Sequence, residues 1–259
     1  YAEWRTIFRS DESKLIIGAK DTRFWTALLN TSTYVLGVVV INLVLGLLLA
    51  LVLQQQSLVN LVLRTIFFLP FVTSGVAITV VWGWIFRGKA YGLVNSTRIE
   101  VFGAEDVIPF LDDPAYMMPI LIFMAIWGGI GYNMILYLAG LGSIPADLYE
   151  AATVDGASTR QKFFNITLPL LRPTILFLLV TGIIGSFQLF DQAYILFSNV
   201  GEGAGGTLDG ALTIVGYLYE RGFQLFQLGY ASAIAWVLFI IIFVFTLLNL
   251  WVGRINDAY

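Results

Sequence analysis

The sequence predicts an all-α, polytopic membrane protein, and three observations carry that expectation. Hydrophobic residues make up 58% of the 259 residues and charged residues only 12%. Mean hydropathy is +0.83, far above what a soluble domain of this length carries. Five apolar runs also approach the roughly 20 residues that cross a hydrocarbon core as helix.

Those runs are Thr31–Leu53, Ile66–Phe86, Ala115–Gly140, Thr174–Phe197 and Tyr230–Val252, and each is predicted to be one transmembrane helix. All but the fourth lack Asp, Glu, Lys and Arg; the fourth carries Asp191. The connectors differ in character. Gln54–Thr65 is short with Arg64 as its ion, Arg87–Pro114 reads as an acidic loop, and Asn199–Gly210, "NVGEGAGGTLDG", reads as a flexible Gly-rich linker.

The segment between the third and fourth runs, "LYEAATVDGASTRQKFFNITLPLLRP" from Leu148 to Pro173, is different. Its chemistry predicts two short helices with a break. Ser143 and Pro145 suit the start of the first, with Leu148, Ala151 and Ala152 on one face with Asp155. Gly156 ends it, Ser158 to Gln161 fits a capping box that starts the second, and Pro169 and Pro173 stop that turn. The expected result is a helical elbow at the membrane surface.

Several chemistries are excluded. Cysteine and histidine are absent, so there is no disulfide, Cys/His metal site or Cys/His catalytic pair. The single Gly-Lys, in "FRGKAYG", lacks the spacing and the Ser/Thr of a phosphate-binding loop, so no ATPase or other enzyme is expected in this chain. "GEGAGG" joins two membrane runs rather than a strand and a helix. Net charge is −3 and no basic block suggests nucleic acid.

Glu150-Ala151-Ala152, three residues, Gly156, nine residues and Ile166-Thr167-Leu168-Pro169 resemble the EAA loop of ABC importer permeases. "FFLP" at Phe67–Pro70, "IPADLYEAATVDGA" and "FQLFDQAY" at Phe187–Tyr194 extend the resemblance, from about Phe24 onward, to the binding-protein-dependent, maltose-type sugar permeases. The resemblance implies a transmembrane domain over 31–259, with a cytoplasmic coupling loop at 141–173 that docks on an ATP-binding cassette dimer. It also implies six spans in the full chain, so that 1–30 is expected to be an outer loop after an absent first helix. A second permease and an extracytoplasmic solute-binding protein are the implied partners, and a bacterial or archaeal cytoplasmic membrane is the implied location. Glu150, Ala151, Ala152, Asp155, Gly156 and Ala157 would meet the ATPase, the small residues by close approach and the carboxylates by pairing with its cations. Phe163, Phe164 and Ile166 would anchor the elbow to the permease. This orientation places Arg64, Arg160, Lys162, Arg172 and Arg254 inside but Arg5, Arg9, Lys14, Lys20 and Arg23 outside, against the positive-inside rule at the N-terminus.

For the pathway, the resemblance points to Gly129 and Tyr132, with Gly128 alongside, as sugar contacts, and Gln188 and Asp191 are added as polar groups of the fourth run. Two readings stay open at each place: the glycines of "GGIG" equally permit helix packing, and Asp191 equally suits the membrane interface. The spans hold no cation that would carry an anionic solute, so a neutral di- or oligosaccharide is expected, needing no cofactor. A glycerol-phosphate importer permease and an ion-coupled secondary transporter are the alternatives, the latter thinly supported by one carboxylate.

Overall fold

The computed structural model describes residues 21–198 and 203–256. Their regular structure is helical: α1 (Thr22–Leu53), α2 (Leu58–Val72), α3 (Gly75–Ile85), α4 (Leu93–Phe102), α5 (Pro114–Gly142), α6 (Ala146–Val154), α7 (Thr159–Lys162), α8 (Leu168–Leu170), α9 (Arg172–Phe187), α10 (Asp191–Phe197), α11 (Ile214–Tyr219) and α12 (Leu228–Asn256). Three helices (α1, α5, α12) and α9 together with α10 are long and apolar enough to cross a membrane, and the bent pair α2–α3 supplies a fifth span. The polytopic helical class is therefore as expected.

The structure corrects the boundaries. Helix α1 begins at Thr22 rather than Thr31, because Asp21 caps it: its Oδ1 accepts from the N–H groups of Arg23 (3.1 Å) and Phe24 (3.4 Å). The second run is not one helix but a pair broken at Thr73–Ser74, just after Pro70, whose ring removes a donor and crowds the preceding turn. The fourth run breaks at Gln188–Phe190. Arg87–Pro114 is not all loop, since it contains α4. The expectations for Arg5, Arg9, Lys14, Lys20 and the stretch 199–202 lie outside the described residues.

The chain divides into two compact units. The first comprises Thr73–Met124, Ile184–Phe243 and the described residues before Val38. Its core is apolar, with Met117, Leu121, Phe197, Leu212, Ile214, Tyr217 and Ile234 buried, but a polar network ties it together. Arg23 bonds both oxygens of Asp209 (2.7 Å each) and both of Glu220 (2.5 and 3.1 Å). Beside it, Asp21 Oδ2 accepts from the Tyr217 hydroxyl, from Tyr230 (2.9 Å) and from Arg221 (3.2 Å). Thr31 Oγ1 accepts from Ile214 N, and Asn30 donates to the carbonyls of Asp209 and Leu212. The part of the Gly-rich linker that is described is thus held in place: Ala204 is buried and its N–H donates to Glu220. A flexible linker is not what residues 203–210 form, because buried backbone polar groups there find fixed partners.

The second unit comprises Val38–Val72, Ala125–Ile183 and the described residues from Val244. Ala50, Leu53, Met134, Tyr137, Ile144, Leu171 and Leu178 form its buried cluster. Arg64 donates from Nε and Nη2 to the carbonyl of Leu53 (3.0 and 2.5 Å), capping the C-terminal end of α1. Outward residues of α1 such as Leu36, Val44 and Val52 are large, apolar and exposed, which suits hydrocarbon and would be an aggregation hazard in water.

Two stability predictions follow from the network of the first unit. Arg23→Ala leaves the buried Glu220 without its cation and is expected to cost about 3 kcal/mol or more. Arg98→Ala, at a pair whose Asp106 side chain is 77% exposed, is expected to cost under about 1 kcal/mol. Thermal unfolding of the purified protein in detergent compares them, and equal shifts would contradict the burial argument. Burial opposes ionisation of Asp21, but hydrogen bonds from Tyr217 and Tyr230, the Arg221 charge and the Phe24 N–H outweigh it and hold the carboxyl below its ordinary value of 3.8. Its contribution is therefore complete above pH 3.8 and lost as pH falls through the lower folded-state value. The stability gap between the native protein and Asp21→Asn should close over that fall, and a gap that persists would show that the charge is not what matters.

Candidate functional site

The elbow is built by local chemistry within the second unit. Helix α6 starts after Pro145 without a side-chain cap; Ser143, expected to cap it, instead donates back to Gly140 O (2.7 Å). The C-terminal end of α6 is a Schellman motif. Gly156 takes φ +73°, its N–H reaches Thr153 O (3.1 Å), and the Ala157 N–H reaches Ala152 O (2.9 Å). Ser158 and Gln161 then form the expected capping box. Pro169 and Pro173 do not stop the second helix. It runs on through a π turn, Phe163–Thr167, and the prolines fall in the first turns of α8 and α9, where no N–H is needed.

Glu150, Ala151 and Asp155 are exposed, and Ala152 and Ala157 are half-buried. Leu148 and Val154 share the exposed surface, Val154 at 89%. The elbow thus presents two carboxylates around small and apolar side chains. Two bonds hold this surface to the helix behind it: Tyr149 Oη to the buried Thr167 Oγ1 (2.9 Å), and Lys162 Nζ to Thr153 Oγ1 (2.7 Å). Sequence reasoning gave neither of these contacts, although Tyr149 stands directly before the motif. Ile166 packs against the core of the unit, whereas Phe164 is 52% exposed, with Arg160 over its ring at 5.8 Å.

The pathway candidates fall into two places. In the second unit, Tyr132 is half-buried and stacks on Phe71, ring centroids 4.6 Å apart. The neighbouring glycines of α5 differ. A Cβ on Gly131 would lie 1.9 Å from the carbonyl oxygen of Phe67, so this glycine serves helix packing. One on Gly129 would meet Asn42 Nδ2 at 3.0 Å, and one on Gly128 would meet nothing within 4 Å. Asn42 is 6% exposed, and its Oδ1 has no hydrogen-bond partner among the described residues. It is a polar group that the sequence reading missed, and a lone amide in an apolar run was the signal. In the first unit, Gln188 and Asp191 are exposed at the break between α9 and α10. Asp191 opens α10, where the positive end of the helix favours a carboxylate. Beside it Phe190, Tyr194 and Tyr219 form an aromatic cluster with centroids 5.0 to 5.2 Å apart. Ser186, the next polar residue before Gln188, is buried.

Comparison with known proteins agrees with this architecture. The chain is 40% identical over 229 residues to the probable ABC transporter permease protein YesP of Bacillus subtilis (strain 168), covering 88% of this chain and 72% of the relative. It is 35% identical to the arabinooligosaccharides transport system permease protein AraP of the same organism, covering 88% and 71%. A bacterial ABC transporter involved in the import of the acidic polysaccharide alginate contains a chain that superposes with a TM-score of 0.81 at 28% identity, covering 98% of this chain and 83% of that one. Residues 42–258 match the model of the binding-protein-dependent transport system inner membrane component. The chain belongs to that family of transport permeases.

Proposed function

We propose that the chain is the membrane-spanning permease subunit of an ATP-driven importer for a neutral di- or oligosaccharide delivered by an extracytoplasmic binding protein. The elbow carries this reading: an exposed, capped α6 pinned by Tyr149 and Thr167 is a rigid handle through which a separate ATPase dimer can move the helices. Glu150, Ala151, Ala152, Asp155, Gly156 and Ala157 form the handle, and Gly128, Gly129, Tyr132, Gln188 and Asp191 are the candidate substrate contacts, with a second permease completing the path. The neutral class is supported by the AraP relative, which is named for arabinooligosaccharides, and by span helices in which the cations Arg23 and Arg64 are already bonded to carboxylates and to a carbonyl; the alginate transporter, named for an acidic polysaccharide, is the relative that points the other way. A secondary transporter would couple to ions through membrane carboxylates, and Asp191 sits at a helix break rather than mid-span.

The coupling role predicts that Glu150→Lys keeps the protein inserted at normal level but lowers uptake about tenfold, the cost of about 1.4 kcal/mol in docking. Gly156→Pro, incompatible with a φ of +73°, should do at least as much. Normal uptake together with normal co-purification of an ATPase would remove the elbow from the mechanism. The orientation is tested with single cysteines in this Cys-free chain. Thr159→Cys should be shielded from an impermeant thiol reagent in intact cells, and Leu208→Cys, at a residue 86% exposed, should react. Ala204, an obvious choice from sequence, is unsuitable because it is buried. The reverse labelling pattern would invert the topology.

A further inference from the structure

Outside every candidate residue above, the first unit opens a cleft of about 600 Å³ lined by Trp84, Arg87, Lys89, Tyr91, Asp112 and Ile195, within the usual size of small-molecule sites, roughly 300–1,000 Å³. Its frame is fixed. Asn95 has no exposed surface, and its amide nitrogen donates to the carbonyls of Arg87 (3.3 Å) and Ile108 (2.9 Å) while its oxygen accepts from Ile108 N (3.0 Å). Gly92 lets the chain turn back on itself, since a Cβ there would sit 2.1 Å from Arg87 O. A frame held this way presents side chains in set positions, as binding sites need.

The side chains it presents are those that grip a polyol. Trp84 and Tyr91 are 52% and 62% exposed, so aromatic surface remains open for sugar C–H groups. The Arg87 guanidinium stands 5.9 Å from the Tyr91 ring. Among the described residues none of Arg87, Lys89 and Asp112 is in an ion pair, so two donors and an acceptor remain for hydroxyls. Asp112 sets an acceptor beside the two cations, a mixed set that suits the hydroxyls of a saccharide.

We propose that this cleft is a binding site for a neutral saccharide. Cleft residues 84–91 and 112 precede α5 in the chain and the elbow follows it. The inference rests on the saccharide-importer reading and adds a place where substrate is held before the path between the helices.

The test uses the complete importer, with its ATPase and second permease, in lipid nanodiscs without binding protein, titrated with arabinotriose while tryptophan fluorescence is followed. The expected result is a saturable change that Trp84→Phe abolishes and Trp236→Phe, on α12, leaves intact. Tyr91→Ala and Arg87→Ala, which keep the reporter, should each raise the apparent Kd about three- to tenfold. An absent change, unaltered Kd values in both variants, a stronger response to glucuronate than to arabinotriose, or a Trp84 that acrylamide cannot reach in the assembled complex would each overturn the proposal. Uptake by the native importer with its binding protein is measured separately: failure there overturns the saccharide reading itself, whatever the cleft binds.

Discussion

In hydrocarbon every backbone N–H and C=O must find a partner within the chain, and this constraint governs the molecule. Helices meet it along their length but leave their ends unsatisfied, so the polar side chains of this sparsely charged sequence gather where helices start, stop or break. Asp21 Oδ1 takes the first N–H groups of α1, and Arg64 takes the carbonyl of Leu53 at its other end. Thr213 caps α11 through Gly216 N while donating to Leu189 O at the break before α10. Asn95 closes the turn before α4. A few such residues let an otherwise apolar chain change direction without orphaning its backbone.

The same economy gives single residues double duty. Asp21 caps a helix with one oxygen and gathers Tyr217, Tyr230 and Arg221 with the other. Arg23, two residues further on, binds two carboxylates far along the chain. Leu208 and Asp209 both hold positive φ, a strained conformation for residues with side chains, and the Arg23 bonds to Asp209 help to maintain it. The first unit therefore owes its shape to a charged cluster as well as to its core. The second unit relies on packing, with polar bonds at the elbow and at the Arg64 cap of α1.

Much of this was legible in the sequence. Apolar run length marked the spans, because crossing a membrane demands a fixed number of helical residues. The elbow's turn at Gly156 and its Ser158–Gln161 box were legible because capping is local chemistry, decided within a few residues. Motif spacing identified the family, and comparison bore that out.

What the sequence could not determine are the partners that meet only after folding. That Arg23 pairs with Asp209 and Glu220, that Asn42 faces Gly129, and that Arg87, Tyr91 and Asp112 surround one cleft are facts of long-range contact. The linker at 203–210 looked flexible because glycines permit many conformations, and only tertiary bonds to Arg23, Asn30 and Glu220 select one. The sequence by itself determined the class, the spans, the elbow and the family, all of which follow from local periodicity, caps and spacing. The tertiary structure decided which polar groups meet and which glycine packs or stays open, because those depend on residues distant in the chain and carry no local signal.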